Sequence, residues 1–177
     1  MRIQFTDTME WLTFFEKWIW LGFAAIGFAI LFNVPKRTLW VTFLLGALGG
    51  AAKLLTLHLG GGIILASFAG AMLVGFLSIG AAHFKHAPPF VFAIPAVIPM
   101  VPGAFAYRMM LGIIRLTENI DPNTFNQLLE ETIHNGLNAF FILMALSLGV
   151  SAPMLLTRRE SAKGLKVPLK IDGLIKK

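Results

Sequence analysis

Residues 88–108 read PPFVFAIPAVIPMVPGAFAYR, an apolar run long enough to enter a membrane that nevertheless carries Pro95, Pro99 and Pro102, then Gly103. Spacings of four and three place these prolines on one face of a helix, where each removes an amide donor and clashes with the carbonyl one turn back. The pattern predicts that the carbonyls of Val91, Pro95 and Ile98 lose their helical partners. An unpaired backbone group in hydrocarbon costs several kcal/mol, so such backbone is tolerated only against protein or a wet cavity. The stretch therefore predicts a helix broken near Val101 that lines a solute path.

Working outward, the 177 residues are 56% hydrophobic and only 14% charged, against roughly 25% charged in a soluble domain. With a mean hydropathy of +0.75, this composition predicts an all-α integral membrane protein. At about 20 apolar residues per span the chain makes one bundle of about five transmembrane helices, the fourth broken by prolines. The expected spans are 11–34, 38–59, 63–82, 89–114 and 136–156 within a transmembrane domain 1–157, followed by a basic tail 158–177. The first segment has only Arg2 as a positive n-region and already contains Asp7, Glu10 and Glu16, so no cleaved signal peptide is expected. Cysteine is absent, which excludes disulfides and thiolate metal sites. The net charge of +6 is concentrated in the tail, a membrane-topology signal rather than a nucleic-acid one.

Individual spans carry further instructions. Asn33 and Pro35 stop the first, and Gly60 to Gly62 turn the second into the third. Gly46 and Gly50 lie one turn apart on the second span with Lys53 following, while Ala66, Gly70, Ala71 and Gly75 repeat small residues along the third; such faces let helices approach closely. HFKHAPP at 83–89 reads as a short polar connection. Asp121 and Pro122 have the character of an N-cap followed by a first-turn proline. The last helix begins amphipathic, with Phe125, Leu128, Leu129 and Ile133 on one side, and its length predicts a bend near Gly136. With five spans, Lys36, Arg37, Lys85, Arg158, Arg159, Lys163, Lys166 and Lys170 share one side. That asymmetry predicts an N-terminus outside and a C-terminus in the cytoplasm.

The half-helix starting at Pro102 is expected to present its first amides, those of Gly103 and Ala104, at membrane depth, with Tyr107 and Arg108 just over a turn further on. A helix N-terminus carries about half a positive charge, so this grouping suits a carboxylate. Lys53 either faces the bundle interior or snorkels toward the end of its span. Asn138 and Ser147 either line a path or hydrogen-bond between helices. His83 and His86 share a helix face but have no nearby carboxylate or cysteine, so neither a metal site nor a cofactor is expected. Every Asp and Glu lies outside the span cores, which leaves no titrating carboxylate at depth to couple transport to protons. No G-x-S-x-G, H-E-x-x-H or phosphate-cradling loop occurs, and the chain is not expected to be an enzyme.

The stretch FAIPAVIPMVPGAFAYRMMLG (92–112), with LLGALG (44–49), resembles the threonine/serine exporter family in its short form, the small membrane subunit of a two-component exporter. The resemblance covers most of Leu31 to Leu156. It implies export of small hydrophilic metabolites across the bacterial inner membrane, threonine and serine or a dicarboxylate such as succinate, together with a larger membrane subunit as partner. Independently, five spans put the termini on opposite sides, and an odd-spanned half is the unit from which inverted-repeat transporters are built. The substrate path is then expected to involve Pro95, Pro99, Pro102, Gly103, Tyr107, Arg108, Lys53 and Asn138. The alternative is a non-transporting scaffold subunit in which the prolines only shape packing.

Overall fold

A computed structural model describes residues 3–118 and 121–157, with side chains described from Glu16 onward except at 122 and 123. The basic tail and the Trp11 side chain lie outside the described residues. Among the described residues six α-helices follow one another: α1 (Ile3–Leu31), α2 (Leu39–His58), α3 (Ile63–Lys85), α4 (Pro89–Val97), α5 (Gly103–Leu116) and α6 (Pro122–Thr157). Lys36–Thr38 and Ile98–Met100 are short 3-10 turns, and no strand occurs among the described residues. Lys36–His58, Ile63–Lys85 and Thr124–Thr157 are each long and apolar enough to cross a membrane; the pair Pro89–Met100 and Gly103–Leu116, bent by 52°, makes a fourth candidate.

Three of the helix ends share one chemistry. Asn33 (φ 54°), Gly60 (φ +83°) and His86 (φ 51°) each adopt the left-handed conformation just past a helix. In each case the next amide reaches back five residues: Val34 to Ala29 (2.9 Å), Gly61 to Thr56 (2.9 Å) and Ala87 to Ala82 (3.3 Å). This motif satisfies carbonyls that a helix end leaves without partners, and the prolines at 35 and 88 forbid continuation. At His86 it lets α3 run to Lys85, so His83 and Lys85 belong to the helix rather than to a connecting loop.

The prolines break the fourth segment where expected. Val101, held extended by the proline that follows it (φ −59°, ψ 136°), leads into Pro102 at φ −80°, ψ 56°. The Gly103 amide donates to the Val101 carbonyl at 2.9 Å, which makes Pro102 the centre of an inverse γ-turn. Two sequence expectations are corrected here. The Ile98 carbonyl keeps a partner, the Val101 amide at 3.0 Å, because the chain tightens into a 3-10 turn. The Gly103 amide is likewise already used and is not free for a ligand.

Packing is centred on the first half of the broken segment. Phe92, Ala93, Ala96, Val97 and Met100 are buried against Leu45 of α2, Ala71 and Val74 of α3, and Ile142, Leu146 and Val150 of α6. Helix association in a membrane gains little from hydrophobicity and depends on close backbone approach. At Gly70 an added Cβ would stand 2.7 Å from the Gly49 carbonyl oxygen, and at Gly149 one would stand 2.8 Å from the Ala71 Cβ. α3 thus uses its small residues on two sides, toward α2 and toward α6. Gly46 and Gly50 serve a different neighbour: Cβ atoms there would meet Ala25 and Leu21 of α1.

α6 is one helix of 36 residues and runs through Gly136 without a break in its helical backbone. Gly136 accommodates a neighbour, since a Cβ would lie 3.0 Å from the Met109 sulfur of α5. In the first part of α6, Phe125, Leu129 and Ile133 are exposed alongside Glu130 and Glu131, while Thr132 and Asn135 are buried.

Candidate functional site

The break places one charged side chain at the end of α4. Lys53 follows Gly49 and Gly50 on α2, and its Cβ fits beside α3 only because residue 70 has no side chain: a Cβ at Gly70 would lie 3.2 Å from it. From there the half-buried lysine reaches the broken segment and donates from Nζ to the Met100 carbonyl at 3.1 Å. An ammonium at the C-terminal end of a helical segment faces the negative end of the backbone dipole, so charge and hydrogen bond act together. This contact draws Lys53 onto the broken segment.

Beside this contact lies an open cavity of about 680 Å³, lined by Lys53, Leu54, Pro99 and Met100 on one side and by Glu16, Lys17, Trp20, Leu21 and Ala24 of α1 on the other. Its walls are largely apolar, with Lys53 half-buried and Glu16 and Lys17 exposed. The arrangement can take a small organic anion: an apolar wall for the body, an ammonium for the carboxylate, and a backbone carbonyl that accepts from a donor on the same molecule.

The other expected site residues do not converge here. Pro95 is fully buried in the core, and Pro102 is buried as the cap of α5. Gly103 is exposed with nothing within 4 Å of an added Cβ. Tyr107, 65% exposed, points away from the bundle. Arg108 lines a separate cleft of about 80 Å³ between α5 and α6, with Arg115, Glu131, Thr132 and Asn135. Asn138 is half-buried on α6 and does not line the Lys53 cavity. The structure therefore joins Lys53 and Pro99 and separates them from Tyr107 and Arg108.

The contributors to this cavity are only partly legible from the sequence. The Met100 carbonyl is backbone, and Glu16 and Lys17 read only as the polar start of the first span. Ser67, one turn before Gly70 on α3, is fully buried, and its hydroxyl has no hydrogen-bond partner among the described residues. No group of three or more metal-ligating side chains occurs among the described residues, and His83 Nδ1 lies 2.8 Å from the Ile79 carbonyl.

The sequence profile of the family described as "Threonine/Serine exporter, ThrE" matches residues 17–156, which include both sides of the cavity and the whole broken segment. The chain belongs to the threonine/serine exporter family. An uncharacterized protein of Haemophilus influenzae is similar to this exporter-family chain, 35% identical over 136 residues; the match covers 77% of this chain and 45% of the relative. The family member described here thus spans less than half the length of that relative. No solved structure matches it.

Proposed function

We propose that this chain is the membrane subunit of a secondary transporter that exports small carboxylate-bearing metabolites, threonine and serine or a dicarboxylate such as succinate, across the bacterial inner membrane. The observation that carries the reading is the Lys53 ammonium, held on a backbone carbonyl at the proline break and open to a cavity of about 680 Å³. A cation beside irregular backbone is what a carboxylate path needs and what a purely structural kink does not. α1 supplies the fifth span, with the N-terminus outside and the C-terminus in the cytoplasm. A larger membrane subunit completes the pathway, in keeping with a relative of more than twice the matched length.

The test is an uptake and counterflow panel of amino acids and dicarboxylates on proteoliposomes containing the chain, with and without a co-purifying membrane partner. Lys53-dependent exchange of at least one carboxylate supports the proposal. Normal assembly with no exchange of any, partner present, favours a scaffold.

A further inference from the structure

We infer that Lys53 is a latch on the broken span: its ammonium holds the Met100 carbonyl, and with it the bend between α4 and α5, until an anion in the adjoining cavity takes the ammonium over. The identity of that anion as the transported carboxylate rests on the function proposed above; the latch itself rests on the packing.

The two halves of the broken segment differ in their main neighbours. α4 lies mainly against α1, α2 and α3, with a smaller contact on α6, whereas α5 packs mainly on α6. The 52° bend is therefore the joint between two packing groups. Its backbone is held by short-range bonds only, Val101 to Ile98 and Gly103 to Val101. Met100 is the last residue before the extended Val101, and its carbonyl receives Lys53 from a helix 47 residues earlier in the chain. This is a long-range side-chain tie at the joint, and it is made by a charged donor.

The same ammonium lines the cavity, so an entering solute and the carbonyl reach for one group. A carboxylate bears a full charge where a carbonyl bears a partial one, and in surroundings of low dielectric the charge-assisted pair is the stronger. Lys53 leaving Met100 unties the joint. The side chain that reports this is Met100 itself, 2% exposed and packed where Cβ atoms at Gly49 and Gly70 would meet its Cε and Sδ at 3.0 and 3.1 Å.

The chain has no cysteine, so a single Met100→Cys thiol is a unique probe. The full chain carrying it is reconstituted in liposomes, and its labelling rate by a small membrane-permeant thiol reagent is measured at constant ionic strength, in chloride alone and with threonine or succinate. Loss of a hydrogen bond from a charged donor corresponds to about a tenfold or greater rise in the open population. Labelling is expected to be slow in chloride, to rise about tenfold with a carboxylate, to be fast in Lys53→Met whatever is added, and to remain slow in Lys53→Arg. Val97→Cys, buried on the last turn of α4, repeats the measurement if the first probe packs poorly. Equal rates with Lys53 and with Lys53→Met overturn the latch, even where carboxylate transport persists. Fast labelling in Lys53→Met with no response of the Lys53 chain to either solute upholds the latch and removes the carboxylate from the function proposed above.

Discussion

Gly70→Ala is the most discriminating change available on α3. Its Cβ would stand 2.7 Å from the Gly49 carbonyl oxygen, 3.1 Å from the Met100 sulfur and 3.2 Å from the Lys53 Cβ. The first of these is backbone and cannot swing aside, so α2 and α3 must separate by several tenths of an ångström. Overpacking of this kind costs about 1–3 kcal/mol. The same substitution at Gly80, on the same helix with nothing within 4 Å, has no such penalty. Both changes gain about 1 kcal/mol of helix propensity, which cancels in the comparison. The pair should therefore differ by about 1–3 kcal/mol, a factor of roughly 5 to 150 in the folding equilibrium. Reversible denaturation of the purified proteins in mixed micelles measures the difference. The shift also stretches the 3.1 Å Lys53 to Met100 bond, so Gly70→Ala should speed labelling of the residue-100 thiol. Equal stability of the two alanine variants would refute the close packing of α2 on α3.

Other outcomes follow from single features. Ser67→Ala removes a buried hydroxyl without a partner among the described residues, and should be neutral or stabilise by up to about 1–2 kcal/mol; a clear loss of thermal stability would show that the hydroxyl is bonded in the membrane. Gly60→Ala, at φ +83°, should destabilise by about 1–2 kcal/mol, whereas Gly62→Ala, with no close neighbour, should change stability little; a thermal ramp on both checks the contrast. Arg108→Ala should leave carboxylate affinity at the Lys53 cavity within about twofold, because Arg108 lines a different cleft. Equilibrium binding decides this, and a loss equal to that of Lys53→Met would put both residues in one site.

What the sequence conveyed well was whatever covalent geometry dictates. Proline cannot donate an amide, so the break at Val101 was legible residue by residue; Asn33 followed by Pro35 announced a helix end for the same reason. What it conveyed poorly was how the chain repairs such damage. Nothing local says that Ile98 will recover a partner through a 3-10 turn, or that the Gly103 amide will be consumed by a γ-turn, since both depend on how the two half-helices are held. Small residues showed that helices would meet but not which ones: Gly46 and Gly50 face α1, Gly49 and Gly70 face each other, and Gly136 seats Met109. Tyr107 and Arg108 follow Gly103 closely in sequence, yet α5 turns them away from Lys53. Helical spacing fixes which residues share a face; the direction of that face was set by tertiary packing alone.

The unequal halves of the broken segment bear on the order in which the protein is made. α4 has nine residues and α5 fourteen, about 14 and 21 Å of helix, and neither alone matches a hydrocarbon core of about 30 Å. The main neighbours of α4, the helices α1, α2 and α3, precede it in the chain, whereas the main neighbour of α5 comes after it. α4 can dock as it leaves the ribosome, but α5 must wait beside the bilayer until α6 has been synthesised. A chain stopped just short of α6 would leave its second half-helix without its main packing partner, which makes completion of the last helix the step that closes the bundle.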